Sequence, residues 1–158
     1  MAQPLIMSFR PDAAEMCLDG RKTRTRRISE CAMTVRDDDG NITALCAWRG
    51  GHFVDLWRVG KSIAIKPKRT AKAVGRVMCT GLRVEHAQDI TEDDARREGM
   101  TAYGGHGWQG SNDGWVYPTA REAFEHVWRR LNPRGPTSWD SNPLVVVISF
   151  RPLKEGEA

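Results

Sequence analysis

Apolar and polar residues fall into short blocks at the start of the 158-residue chain. Leu5 to Phe9 is a mainly apolar run closed by an arginine and a proline, which predicts a first strand. Pro11 to Asp19 predicts a helix, because proline suits the first helical turn and Gly20 suits the position after the last one. The chain is therefore expected to open with a strand that leads directly into a helix.

Further segments have the hydrophobic pattern of strands. Gly60 to Lys66 alternates polar and apolar residues, and Ala73 to Val84 contains a second β-like run. The turn-rich residues 37–41 are expected to join two strands, of which Ile42 to Trp48 is the second. Leu144 to Phe150 is apolar almost throughout, which favours a strand buried on both faces. Together these segments predict a small sheet or barrel.

Two later segments have helical spacing. Residues 90–99 predict a helix with Thr91 as its N-cap, Asp94 at the capping-box position and Gly99 as its end. Residues 119–131 predict an amphipathic helix whose apolar positions, Trp128 among them and Leu131 the last, pack into the core. The two helices flank a stretch rich in glycine and aromatic residues.

Composition places few restrictions on function. The apolar content of 40%, the mean hydropathy of −0.53 and the net charge of +4 describe an ordinary globular protein, long enough for one domain. The four cysteines are irregularly spaced, which argues against a zinc site or a disulfide framework and predicts reduced thiols. No apolar run approaches the length of a membrane span, so a cytoplasmic protein with no membrane partner is expected.

Five of the seven residues from Arg21 to Arg27 are basic, and the other two are threonines. So dense a cluster repels itself, so we expect a counter-charge from a polyanion such as nucleic acid, or from a reaction that develops negative charge. A solvated basic face is the alternative. In a strand, Thr23, Thr25 and Arg27 would share one face, with Arg24 and Arg26 on the other.

Two features near the middle of the chain are further candidates for function. Glu98 falls at the C-terminal end of a predicted helix, where the helix dipole disfavours a carboxylate and so suggests a use for it. The Gly-rich stretch 101–118 contains Tyr103, Trp108 and Trp115, which suit a loop that stacks a base or covers a pocket. A surface insertion would have the same composition.

These segments together resemble an ASCH domain of the PUA-like superfamily. The resemblance rests on the Ser-Phe-Arg-Pro end of the first strand, residues 20–27, residues 90–99, and Trp139 followed by Asn142-Pro143 and the last strand. It implies an α+β fold built on a small β-barrel with peripheral helices. It also implies one ASCH domain over residues 1–158, with an insertion near 31–58 and the aromatic loop at 101–118.

The resemblance extends to small bacterial amidohydrolases that deacylate N4-acetylcytidine without a metal or other cofactor. It implies Lys22 as the base, Thr25 as the nucleophile or the group that positions water, and Glu98 as the proton shuttle. Lys22 and Thr25 must then converge across a bend, because a straight strand would place them on opposite faces. The residues expected to bind the substrate are Arg21, Arg24, Arg26, Tyr103 and Trp108.

Two alternatives to the amidohydrolase remain at the level of sequence. A ribonuclease or a non-catalytic RNA-binding module would use the basic cluster for phosphate, with Thr25 or Tyr103 assisting at a 2′-hydroxyl. A docking domain would depend on Trp108 and Trp115 and not on Lys22. The expected partner is therefore a modified nucleoside or RNA, and the sequence leaves the oligomeric state open.

Overall fold

A computed structural model describes residues 5–28, 31, 33–110 and 114–158. Its helices are α1 (Pro11–Asp19), α2 (Glu92–Arg97) and α3 (Ala120–Leu131), with a short 3-10 turn at Ala87–Asp89. Its strands are β1 (Leu5–Ser8), β2 (Arg24–Arg27), β3 (Met33–Arg36), β4 (Ile42–Arg49), β5 (His52–Arg58), β6 (Ser62–Lys66), β7 (Gly75–His86), β8 (Thr101–Ala102), β9 (Trp108–Gln109) and β10 (Leu144–Pro152). The predicted α+β class is confirmed.

The main sheet is ordered β1-β6-β7-β10-β2. β1 runs parallel to β6, whereas β10 is antiparallel to both of its neighbours, β7 and β2. β4 meets β7 at a single pair, Ile42 with Leu82, and carries β3 and β5 on its two sides. Within the described ranges, the strand pairing does not close into a ring, because β1 and β2 lie at opposite ends of the order.

Two hydrophobic clusters form on alternate residues of β10. Val146, Ile148 and Phe150 belong to a cluster with α1 and the strands β1, β6 and β7. Val145 and Val147 belong to a second cluster with α2 and α3. All five side chains are at most 2% exposed, so the prediction of a strand buried on both faces is confirmed.

α1 matches its predicted bounds, α3 begins one residue later than predicted, and α2 ends at Arg97, before the predicted end at Gly99. Gly20 follows α1 with φ of +86°, the left-handed conformation expected of a glycine at a helix end. The Thr91 side chain accepts a hydrogen bond from the Asp94 backbone, but the Asp94 carboxylate bonds arginines instead of completing a capping box. Trp128 is buried as expected, whereas Leu131 is 70% exposed, so its predicted core position is wrong.

Residues outside these elements form smaller units. β3, β4 and β5 make an antiparallel arm that includes β5, a strand the sequence did not predict. In the aromatic stretch 101–118, β8 pairs with β9, and Trp108 pairs with Tyr117; residues 111–113 lie outside the described ranges. The four cysteines are free thiols. No described helix is long and apolar enough to cross a bilayer.

Candidate functional site

The side chains of β2 alternate between the two faces of the main sheet. Arg26 of β2 pairs with Val147 of β10, and Val147 pairs with Arg83 of β7. These three side chains therefore share the face covered by α2. Thr25 pairs with Ile148, which places it on the opposite face beside the first hydrophobic cluster. The alternation predicted for this strand is confirmed from Arg24 onward.

Lys22 and Glu98 meet although 76 residues separate them. The Lys22 Nζ atom donates to the Glu98 carbonyl oxygen at 2.6 Å and to the Oε2 atom of its carboxylate at 2.9 Å. Only 8% of the Lys22 side chain and 4% of the Glu98 side chain are exposed. Lys22 lies between α1 and β2, where its backbone N–H donates to the Met16 carbonyl, so it is outside the strand.

Arg26 binds the same carboxylate from the sheet side. Its Nη1 donates to Glu98 Oε1 at 3.1 Å, and its Nη2 donates to Asp94 Oδ2 at 2.6 Å and also to Glu85. The Arg26 side chain is fully buried, and its Nε has no hydrogen-bond partner among the described residues. Both oxygens of Glu98 are therefore held, one by Lys22 and the other by Arg26.

Asp94 gathers three arginines on one buried carboxylate: Arg24, Arg26 and Arg83. Burial alone would raise the pKa of Glu85, but hydrogen bonds from Arg83 and Arg26 outweigh it and hold that pKa below its ordinary value. The counter-charge for much of the basic cluster thus comes from within the chain. This corrects the expectation that a polyanion or a reaction must supply it.

The structure separates the other arginines assigned to the substrate. Arg21 is exposed and its Nε donates to Asp19 at 2.8 Å, at the end of α1. Arg24 is partly exposed and bonds Asp94. Arg26 is enclosed, so its expected contact with a substrate is replaced by its contacts with three carboxylates, including those of Asp94 and Glu98.

Thr25 is buried on the face opposite Arg26. No described residue, Lys22 and Glu98 included, hydrogen-bonds its hydroxyl. Lys22 precedes the strand, as the predicted bend requires. The structure therefore brings together two of the three predicted catalytic residues and leaves the Thr25 hydroxyl uncommitted.

Arg27 is a site residue that was not assigned a role from the sequence. Its guanidinium lies 4.7 Å from the centre of the Phe9 ring, and Lys22 Nζ lies 5.7 Å from the same centre. Burial lowers the Arg27 pKa, and the Glu98 charge opposes that shift. The alternation of β2 is the signal that could have found it, because Arg27 shares a face with Thr25.

Tyr103 and Trp108, the aromatic residues predicted to bind the substrate, make their ring contacts with residues other than Lys22 and Glu98. Tyr103 is 56% exposed, and its ring is near His106 of the same loop, with ring centroids 6.3 Å apart. Trp108 packs against the second cluster, with the Arg96 guanidinium 4.7 Å from the centre of its ring. Trp108 therefore packs beside α2, and neither ring has a cation–π or ring contact with Lys22 or Glu98 among the described residues.

Comparison with known proteins identifies the fold. No family model and no curated protein matches the sequence. The ASCH domain from Lactobacillus crispatus JV V101 is similar over 93% of this chain and 79% of that chain, with a TM-score of 0.50 and 15% identity. The chain has the fold of an ASCH domain. A protein from Enterococcus faecalis V583, described under the family model DUF984, shares the fold over 96% of this chain and 80% of its own, with a TM-score of 0.51 and 14% identity.

In this ASCH fold, the last strand and α2 converge on the segment from Lys22 to Arg27. β10 pairs with β2 along its length, and the Thr23 backbone N–H donates to the Arg97 carbonyl at the end of α2. The three carboxylates of the site each accept a hydrogen bond from an arginine. In the described part of the chain, no three His, Cys, Asp or Glu residues are grouped to hold a metal ion.

Proposed function

We propose that this protein is an amidohydrolase that removes an acyl group from N4-acylated cytidine or a similar modified base, within RNA or nucleoside metabolism. The observation that carries the proposal is the buried contact of Lys22 with Glu98 at 2.9 Å. Two residues from distant segments, assigned as base and proton shuttle through the ASCH resemblance, are joined there by a hydrogen bond. Such a pair is suited to the proton transfers of amide hydrolysis.

The Lys22–Glu98 contact has the chemistry of a matched base and acid. A lysine ammonium has three N–H donors, and the Glu98 carbonyl and carboxylate accept two of them. In the proposed reaction the proton of this hydrogen bond moves to Glu98, which leaves Lys22 as a neutral amine. Lys22 then accepts the proton of Thr25, or of a water that Thr25 positions, as that oxygen attacks the acyl carbon.

Glu98 completes the reaction as the acid. It donates its proton to the N4 nitrogen while the carbon–nitrogen bond breaks, so that cytidine leaves as a neutral amine. If Thr25 carries the acyl group, water releases it as the free carboxylic acid and restores the threonine. Arg27, near Lys22 on the Thr25 face, supplies positive charge for the oxyanion that forms on the acyl oxygen.

An RNA-binding ASCH module without turnover is the second candidate. The observation that favours it is that the buried charges of Lys22, Arg26 and Glu98 pair with one another without a ligand. A buried, fully paired ion network can be retained for the fold alone. This candidate predicts oligonucleotide binding with no change in the bound RNA.

Hydrolysis of N4-acetylcytidine tests the proposal, with cytidine and acetate measured as products. Lys22→Met and Glu98→Gln are expected to abolish turnover, while Thr25→Ser is expected to keep more of it than Thr25→Val. Lys68→Met and Glu155→Gln remove the same charges from exposed positions and are expected to behave as wild type. Full activity in Lys22→Met, or no turnover by the wild type, would reject the amidohydrolase.

A further inference from the structure

Asp94 holds two partly exposed guanidinium groups side by side. Arg24 bonds its Oδ1 and Arg83 bonds its Oδ2. The Asp94 side chain is 5% exposed, whereas the side chains of Arg24 and Arg83 are 25% and 40% exposed. A single buried carboxylate therefore fixes two cations at the surface, where a ligand can reach both.

Both arginines have N–H donors that no described residue accepts. A guanidinium has five N–H donors, and in the described part of the chain Arg24 uses only Nη1, while Arg83 leaves Nη1 unused. The surrounding charge is also unbalanced. Four cations, Lys22 and three arginines, meet three carboxylates in this network, which leaves one positive charge.

The sheet surface beside these arginines is formed by small residues, one of which is polar. Arg24 of β2 pairs with Ser149 of β10, and Ser149 pairs with Gly81 of β7. These three residues therefore lie on the same sheet face as Arg26 and Arg83. Gly81 has no side chain, and a Cβ built there would meet Ser149 alone, at 3.6 Å or more. No described residue hydrogen-bonds the Ser149 hydroxyl, so it adds a further donor.

We propose that Arg24, Arg83 and Ser149 form a site for a phosphoryl group of the substrate. Paired guanidinium groups and a hydroxyl match the oxygens of a phosphate, which arginine binds through two parallel hydrogen bonds. Asp94 precedes Glu98 by one helical turn, and side chains at that spacing begin about 5–6 Å apart. The identity of the nucleobase rests on the proposed function. With that function, the inference is that the substrate is a phosphorylated cytidine and not the free nucleoside.

The phosphate can belong to a nucleotide or to an RNA chain. Arg83 also lines an open groove of about 290 Å³, whose other lining residues are Arg36, Gly40, Asn41, Ile42, Leu82 and Val84. An RNA chain would place a second phosphate along this groove, near Arg36. A mononucleotide would fill only the site at Arg24 and Arg83. The two sources therefore differ in whether Arg36 contributes.

Calorimetric titration with cytidine, cytidine 5′-monophosphate and a short oligocytidylate tests the inference. The wild type is expected to bind the monophosphate about tenfold more tightly than cytidine. Arg24→Ala and Arg83→Ala are expected to remove that preference. Arg129→Ala, at an exposed arginine with two carboxylate partners on α3, is the matched control and should keep it. Arg24→Lys keeps the charge and should retain part of the preference.

The oligocytidylate separates the two sources of phosphate. If RNA is the source, it binds more tightly than the monophosphate, and Arg36→Ala weakens its binding and lowers the salt dependence by about one unit of slope. If a nucleotide is the source, Arg36→Ala has no effect. Equal binding of cytidine and its monophosphate, no binding of either, or a preference that survives both substitutions would overturn the inference.

This test is independent of the hydrolysis assay. Loss of the phosphate preference in Arg24→Ala and Arg83→Ala, without any hydrolysis of N4-acetylcytidine by the wild type, would keep the phosphate site and reject the amidohydrolase. Hydrolysis that depends on Lys22 and Glu98, without a phosphate preference, would reject the site and keep the enzyme.

Discussion

Arg26 fixes the orientation of Glu98 by donating to its Oε1 at 3.1 Å. Lys22 occupies the other oxygen, Oε2, so the carboxylate cannot turn without breaking a buried hydrogen bond. The position of Glu98 at the C-cap of α2 would otherwise disfavour its charge, because the helix dipole is negative there. Two cations thus make an unfavourable position suitable for a carboxylate.

Replacing Arg26 with methionine is expected to destabilise the protein strongly. The change leaves Glu85, Asp94 and Glu98 without a shared buried partner, and breaking a buried ion pair from one side costs about 3–5 kcal/mol. Urea unfolding measures the loss. Arg129→Met, which also removes an arginine bound to two carboxylates but at an exposed position, should change stability little. Similar losses in the two variants would contradict this account of Arg26.

The Lys22–Glu98 pair is expected to show strong coupling in a double-mutant cycle. Lys22→Met or Glu98→Gln alone leaves a buried group without its partner, so each single change should destabilise the fold. The double variant should lose less than the two single losses added together, by about 1–3 kcal/mol. Urea unfolding of the four proteins gives this coupling energy. Simple additivity would show that the two side chains do not depend on each other.

Gly99 is expected to tolerate alanine less well than Gly40. Both have positive φ, +100° and +85°, so alanine strains the backbone at each by roughly 1–2 kcal/mol. A Cβ at Gly99 would lie 3.0 Å from the Met16 methyl and 3.5 Å from the Lys22 Cβ, whereas nothing lies within 4 Å at Gly40.

Thermal or urea unfolding should therefore show a further loss of about 1–3 kcal/mol in Gly99→Ala beyond that in Gly40→Ala. Hydrolysis should also fall in Gly99→Ala, because displacement of Lys22 disturbs its contact with Glu98. Equal losses in the two variants would mean that the space around Gly99 is not limiting.

Cys17 is expected to make the fold sensitive to alkaline pH. Burial raises the pKa of its thiol from 9.0 to about 11, although Lys22 and Arg27 oppose the shift. A raised folded-state pKa stabilises the protein below pH 9, and that stability is lost as the pH rises toward about 11. From about pH 8 to 10.5, the wild type should lose about 2 kcal/mol through this thiol.

Unfolding at several pH values in that interval measures the effect. Cys17→Ala should flatten the fall in stability, and Cys79→Ala should do the same, since burial also raises the Cys79 pKa to about 11. Ile63→Val, a change in the same core without a titrating group, should keep the wild-type slope. An unchanged slope in Cys17→Ala would show that its thiol does not link pH to folding.

The sequence contained enough to predict the helices and most of the longer strands, but not β5 or the partners of the charged residues. Local signals such as Gly20 and Thr91 predicted where helices end and begin, because capping depends on neighbouring residues only. Asp94 was assigned to the capping-box position of α2, yet its carboxylate binds arginines of β2 and β7. Those contacts span many residues, and no spacing along the chain encodes them.

The candidate site was predicted in a similarly partial way. Lys22 and Glu98 could be assigned through resemblance to ASCH amidohydrolases, and the structure joins them. Arg21 and Arg26 were grouped as substrate ligands because they are neighbours in sequence. One is exposed beside Asp19 and the other is enclosed by carboxylates, since strand alternation and the helix before it direct them apart.

The position of β10 between β7 and β2 has a consequence for the order of events during synthesis. Among the described residues, Arg24–Arg27 pair with β10 alone, and β10 is synthesised roughly 120 residues after them. Until β10 has been synthesised, β2 lacks the strand that it pairs with, although Lys22 can already bind Glu98 once α2 has formed. The basic segment Arg24–Arg27 therefore takes its place in the sheet only after β10 has been synthesised.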